Sequence, residues 1–319
     1  MESLGLMTAA GRKVVSLAAL FSAVTVISAQ NMVDATETAK LANEALVSGN
    51  YEAALTGFRQ ALKMAEACGE KGAELVAVCQ GVIPKTLNSV AIQNLQNNNV
   101  EAALANLNEA VALAKANGDE ETASKASSLI PQAYMKKGLA LLNARNFDAA
   151  TDAYARALEL DPDNGVAALR YGMALEGAER SAEALKAYAL AAENGQQKNA
   201  YAQMGKFFLK RSLENLKAKN FADAVEDAVT SNGYVANPQA LQIAGQASHL
   251  SGKSAEAIKY FEQYLEAAPG AENAGQVAYT VGALYQQLKN TEKAKEFFSK
   301  ALSDSKFGAD ARKALDALK

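Results

Sequence analysis

Residues able to do chemistry are scarce in this chain. Its 319 residues include one histidine, His249, two cysteines, Cys68 and Cys79, and no tryptophan. A lone imidazole serves as a general base only beside a nucleophile and an orienting partner, and no motif around His249 supplies them. His249 therefore reads as a surface residue. One histidine and two cysteines fall short of a zinc, haem or iron–sulfur ligand set. Asp161-Pro162-Asp163-Asn164-Gly165 has the look of a calcium loop, but Tyr171 stands where that loop needs its glutamate, six residues after the glycine, so the run reads as a turn. There is no phosphate-binding G-x-x-x-x-G-K-[ST] loop and no dinucleotide glycine fingerprint. The expectation is no catalytic residue, no metal and no cofactor.

The cysteines lie eleven apart. If the chain turns at 69–72, Cys68 sits beside about residue 73, and Cys79 is about 9 Å further along the next helix at ~1.5 Å per residue. A disulfide needs Cα atoms within about 7 Å. Two buried small residues are the favoured reading, with a disulfide the alternative in an exported protein. The charge is nearly balanced, 32 basic against 35 acidic residues. Short basic clusters (Lys136-Lys137, Lys206 to Arg211) have acids nearby, which argues against a nucleic-acid footprint.

The elements that must position anything are helices. The sequence holds 69 alanines and five prolines, the best and worst helix formers. Ahead of them, Gly11-Arg12-Lys13 precedes an apolar stretch from Val14 to Ala29 containing four serines or threonines. At 16 residues it is short for a membrane span, which takes roughly 20, and a basic segment, an apolar segment and a small residue describe a secretory leader. Cleavage after Ala29 is expected, with an uncleaved anchor as the alternative. Met7 gives a better leader start than Met1, because it drops Glu2. Neither cysteine follows the apolar stretch, which disfavours a lipoprotein. The mature chain is expected to hold no membrane span.

A pattern then recurs along the chain. Alanines 54, 103, 150, 184, 224, 257 and 294 are each preceded, twelve residues earlier, by a small residue: Ala42, Ala91, Gly138, Gly172, Ser212, Gly245 and Gly282. Four residues after most of these alanines comes a large side chain, as at Phe58, Leu107, Tyr154, Tyr188, Phe261 and Phe298. Spacings of three and four put the second set on one helical face, and facing small residues would let two antiparallel helices approach closely. The prolines support this register. Pro162 and Pro269 fall at turns between units, while Pro84, Pro131 and Pro238 fall where a unit's first helix begins, where a missing N–H costs nothing. GVIPKTLNSVAI and SLIPQAYMKKGL align at a shift of 47, and the residues before each read as helical, so lengthened and kinked helices are expected there.

These units resemble the tetratricopeptide repeat family over roughly residues 35–302. Gly138, Ala150, Tyr154, Ala157 and Pro162 match its motif at five positions; in the sixth unit Tyr264 occupies a normally small position; the fifth unit, with Ser212 and Ala228, departs most. The resemblance implies an all-α, TPR-type α-solenoid, a right-handed superhelix of antiparallel helix pairs. The expected organisation is a leader at 1–29 and a solenoid over 30–319. Its units lie near 35–70, 71–118, 119–164, 165–198, 199–237, 238–272 and 273–305, with a capping helix at 308–319.

The family takes ligands mainly on the concave face made by first helices. At the matching positions the first units offer Asn43, Asn88 and Ile92, and the middle offers Gln132, Met135, Leu139, Asn143, Leu169 and Met173. The C-terminal part offers Gln239, Gln242, Gln246, His249, Gln276 and Tyr279. A Leu/Met surface with amides suits an extended peptide or a partner helix; the competing reading for its apolar members is packing between adjacent helices. The lysine–asparagine–arginine clamp by which some members hold chaperone C-termini is not carried over, since of Ala39, Asn43, Ser89, Gln132 and Lys136 only Asn43 matches. The implied function is a non-enzymatic, exported bacterial scaffold, most simply periplasmic, that binds a protein or peptide. The alternative is a structural subunit of an envelope assembly using convex or terminal surfaces.

Overall fold

The computed structural model describes residues 30–319, and the expected leader, its cleavage point and the choice of start codon lie outside them. The described residues form fifteen α-helices and no strand. By contact they divide into two compact units, one ending at Asp163 and one beginning at Asn164. The first holds α1 (Gln30–Val47), α2 (Tyr51–Ala67), α3 (Ala73–Gln96), α4 (Val100–Ala116), α5 (Glu120–Asn143) and α6 (Phe147–Leu160). The second holds α7 (Gly165–Gly177), α8 (Ser181–Ala191), α9 (Gln197–Lys217), α10 (Phe221–Tyr234), α11 (Pro238–Leu250) and α12 (Ser254–Ala267), then α13 (Ala274–Gln287), α14 (Thr291–Ala301) and α15 (Gly308–Ala317). The first fourteen helices pack as seven successive pairs, and α15 packs against α14.

Each pair closes through the same turn. Three residues separate its helices, and the last of them donates its N–H to the carbonyl five residues back: Asn50 to Ala45, Asn99 to Asn94, Asn146 to Leu141, Arg180 to Leu175, Asn220 to Asn215, Lys253 to Ser248 and Asn290 to Tyr285, all at 2.8–2.9 Å. This is the Schellman closure, which satisfies orphan carbonyls at a helix end and needs a left-handed residue in its middle. Gly49 and Gly252 fill that place in two turns, and Asn98, Arg145, Glu179, Lys219 and Lys289 fill it at φ of 58–64° in the other five. Asparagine ends the turn in five of the seven, and Asn50 and Asn290 each accept an N–H from the first turn of the following helix.

Within the pairs, glycine meets an aromatic ring. A Cβ on Gly138 would lie 2.8 Å from the Tyr154 ring, and on Gly172, Gly245 and Gly282 it would lie 2.5–2.7 Å from Tyr188, Phe261 and Phe298. The small residue of the first helix is thus required by the large residue sixteen positions on, rather than by the alanine twelve on, which corrects the expectation of facing small residues. The first, second and fifth pairs have Ala42, Ala91 and Ser212 in that place, and in the first pair small residues do face each other, Gly57 meeting the Ala42 Cβ at 2.7 Å. Tyr154, Tyr188, Phe58 and Phe298 are among the largest fully buried side chains.

The placement of two prolines also needs correcting. Pro84 and Pro131 lie in the interior of 24-residue helices, not in a first turn, whereas Pro238 does open α11. An interior proline deprives the carbonyl four residues back of its donor. For Pro84 that carbonyl is Gln80, and Asn117, at the end of α4, donates its side-chain amide to it at 2.7 Å. Asn117→Ala should therefore cost about 1 kcal/mol, and in a Pro84→Ala background, where residue 84 regains its N–H, that cost should fall below about 0.5 kcal/mol. Urea unfolding of the four proteins of this cycle measures the difference; equal costs in both backgrounds would show that Asn117 does not act through this carbonyl.

Helix α3 with its leading turn, Gly69–Gln96, is long and apolar enough to cross a membrane by length and composition. Its Leu75, Ile83, Leu87 and Val90 are buried in the core of the first compact unit, with α2, α4 and α5 against it, as in a core helix. Cys79 is fully buried there, and burial pushes its thiol up to about 11. Cys68 is partly exposed and donates to the Met64 carbonyl; both cysteines are free thiols.

Candidate functional site

Every expected ligand-facing residue lies on the first helix of a pair. In the first compact unit, α1 carries Asn43, α3 carries Asn88 and Ile92, and α5 carries Gln132, Met135, Leu139 and Asn143. In the second, α7 carries Leu169 and Met173, α11 carries Gln239, Gln242, Gln246 and His249, and α13 carries Gln276 and Tyr279. First helices also meet one another directly: α1 with α3 and α3 with α5 in the first unit, α9 with α11 in the second. In the first unit these contacts make a continuous first-helix surface, and in the second they join α9 to α11.

These residues divide by exposure. Gln132, Asn143, Gln239, Gln246, His249 and Gln276 are exposed, while Met135, Leu139, Leu169, Met173 and Gln242 are half-buried. Ile92 packs against the first unit's core. The Tyr279 ring lies 5.4 Å from that of Phe298 and 5.5 Å from that of Phe307, the residue that leads into α15, so its ring is committed to the C-terminal cap.

Polar bonds tie α3 to α5. Asn88 donates to the Thr122 carbonyl at 3.4 Å, Lys85 pairs with Asp119 at 3.4 Å, and Lys136 reaches the Leu95 carbonyl at 2.5 Å. Asp119 caps α5, accepting from the Thr122 N–H at 3.0 Å and its hydroxyl at 2.8 Å, and these donors hold its carboxyl below the usual range. Against this satisfied background, the side-chain oxygens of Asn43 and Asn88 stand out, because each is shielded from solvent and has no hydrogen-bond partner. A buried acceptor left unpaired costs about 1–3 kcal/mol. The two sit on α1 and α3, adjacent helices of one surface, and a chain laid across it reaches them only once the side chains turn outward. Sequence reasoning singled out both residues by register, but not the fact that their acceptors are unfilled.

Sequence reasoning missed the polar network of the fifth pair. Arg211 holds Asp227 in a two-pronged pair, Nε to Oδ2 at 2.8 Å, and Asn215 adds a bond to Oδ2 at 2.9 Å. The Arg211 guanidinium lies 4.8 Å from the Phe208 ring centre and 5.4 Å from that of Phe207. This network stands beside Ser212 and Ala228, where four other pairs have glycine and a ring. The signal for it was an arginine and an aspartate sixteen apart, the same interval as glycine to ring.

The architecture is that of a helical-repeat protein, and three stretches of it match the tetratricopeptide repeat. Family models for the tetratricopeptide repeat match residues 131–164, 209–272 and 275–303. The first match opens at Pro131, so the family's repeat begins there and this chain extends the same helix upstream. None of the matched families is catalytic. Solved structures similar to this chain include MamA, 20% identical over 57% of this chain and 96% of that one at a TM-score of 0.36. YrrB, described as a TPR protein with an unusual peptide-binding site, is 23% identical over 58% of this chain and 90% of that one at 0.33. The TPR2AB domain of yeast Sti1, solved in a pHSP90 complex, is 16% identical over 90% of this chain and 97% of that one at 0.37. No curated protein matches the chain.

Proposed function

We propose that this protein is a non-enzymatic interaction scaffold whose first-helix surface binds an extended peptide or a partner helix. The observation that carries the reading is the pair of unfilled acceptors, Asn43 and Asn88, on adjoining first helices. Its support from family is that tetratricopeptide repeats generally serve protein–protein interaction, as in the pHSP90 complex of yeast Sti1. The half-buried Met135 and Leu139 add adaptable apolar surface further along α5. The working place we assign is a bacterial envelope, most simply the periplasm, on the strength of the basic-then-apolar leader over residues 11–29.

One experiment tests both parts. Protein recovered from an envelope fraction is N-terminally sequenced and used to capture partners, alongside an Asn43→Leu/Asn88→Leu variant. The expected first residue is Gln30, and the expected capture by the variant is at least tenfold lower. Its stability should stay within about 1 kcal/mol of the parent, since removing two unpaired acceptors offsets the loss of the Asn88 bond to the Thr122 carbonyl. A first residue well before Gln30 would refute the leader, and undiminished capture by a folded variant would refute the site.

A further inference from the structure

The second compact unit separates its charges by helix. Its first helices, α7, α9, α11 and α13, carry six basic and two acidic residues, whereas its second helices, α8, α10, α12 and α14, carry five basic and nine acidic residues. The second-helix surface is thus the negative side of this unit. Near its C-terminal end lies a cleft of about 920 Å³, bounded by α12, α14, the start of α13 and the connectors at 268–273 and 302–307. The floor is apolar, with the partly exposed Leu265 and Ala274 over the buried Ala278 and Phe297. Gly275 admits the Asp304 side chain, since a Cβ there would lie 2.4 Å from it, and this closes one end.

Five carboxylates and two lysines line the cleft. Both lysines are already used: Lys293 and Lys300 each bind Glu296 at 2.8 Å, and Lys300 also sits 4.1 Å from the centre of the Phe297 ring. Asp304 is occupied by the N–H groups of Lys306 and Phe307, and Glu262 accepts the Tyr285 hydroxyl at 2.8 Å. Glu266 and Glu272 have no ion pair among the described residues. The floor offers apolar contact to an aliphatic stem and the rim offers unmatched negative charge, the combination that fits long cationic side chains.

We propose that this cleft docks a basic segment of a partner protein, with lysine or arginine stems on Leu265 and Ala274 and their cations at Glu266 and Glu272. Apart from the first residues of α13 it is built from second helices and connectors, and it shares no residue with the expected first-helix site.

The test uses a fluorescein-labelled twelve-residue peptide of alternating arginine and leucine, its glutamate–leucine counterpart, and fluorescence anisotropy with the full chain. The basic peptide is expected to bind and the acidic one not to. Glu266→Gln/Glu272→Gln should weaken binding about tenfold, and raising the salt should weaken it further. Asp223→Asn/Glu226→Gln on α10 changes net charge equally but lies outside the cleft, and should leave affinity within twofold. Asn43→Leu/Asn88→Leu should also leave it unchanged, which separates this surface from the first-helix site. Failure of the basic peptide to bind, equal binding of both peptides, or equal losses in the two charge-matched variants would overturn the proposal.

Discussion

Gly172→Val is expected to destabilise the protein by about 3 kcal/mol, through overpacking at a site with no spare volume. The helix itself would tolerate the change, because valine is a slightly better helix former than glycine, by a few tenths of a kcal/mol. Packing decides the outcome. A Cβ on Gly172 would lie 2.5 Å from the Tyr188 ring. That ring is fully buried, and its hydroxyl is fixed by a 2.8 Å bond to Glu176 one turn further along α7. Held at both ends, the ring cannot swing away. Burial, with Glu176 beside it, also drives the tyrosine's ionisation far above its ordinary range, so Tyr188 stays a neutral donor. The complementary variant, Tyr188→Ala, should cost about 3–5 kcal/mol by leaving a cavity. The two changes share one space, so Gly172→Val/Tyr188→Ala should cost clearly less than their sum. Guanidinium unfolding of the cycle measures this, and strict additivity would mean that glycine and ring do not depend on one another.

The second large effect is expected at Asp227. Asp227→Ala should cost about 2–3 kcal/mol, because it removes charge-assisted bonds from Arg211 and a bond from Asn215. A surface ion pair would be worth far less, but Asp227's side chain is only 5% exposed while that of Arg211 is 46% exposed. The exposed partner keeps the loss below that of a fully buried pair, since the freed guanidinium can turn to water. Asp227→Asn should retain roughly half of the stability, as the shape and some acceptor capacity survive. A loss below about 0.5 kcal/mol for the alanine variant, by thermal or chemical unfolding, would reduce this network to an ordinary surface contact.

Much of this molecule was legible in its sequence, and the parts that were not share a cause. The helix pairs follow from a local pattern, small residue and large residue at fixed intervals, and Gly138, Gly172, Gly245 and Gly282 sit where that pattern put them. The identity of their partners was not legible. Alanine and the ring lie one turn apart on the same face, and only coordinates show which one fills the glycine's space. Pro84 was misplaced because a local rule against interior proline was met by a remote remedy, the Asn117 amide 33 residues on. The fifth pair looked weak because its compensation is polar, and motif matching sees size. For the candidate site, register alone brought Asn43 and Asn88 onto first helices. It did not show that Tyr279 would be covered by Phe307, because that depends on how the connector before α15 folds back.

The seven identical turns place the variation in this chain elsewhere. Every pair is a hairpin closed by three residues with one left-handed residue in the middle, while the connectors between hairpins range from three residues, as at 117–119 and 235–237, to six, as at 268–273. The hairpin is therefore the heritable cassette and the connector the splice point. A duplication, deletion or graft made in a connector leaves every hinge intact, whereas one made within a hairpin destroys a closure. GVIPKTLNSVAI and SLIPQAYMKKGL, 47 residues apart, each bear a proline at the twelfth position of a 24-residue helix, so the two cassettes share the design of their first helix.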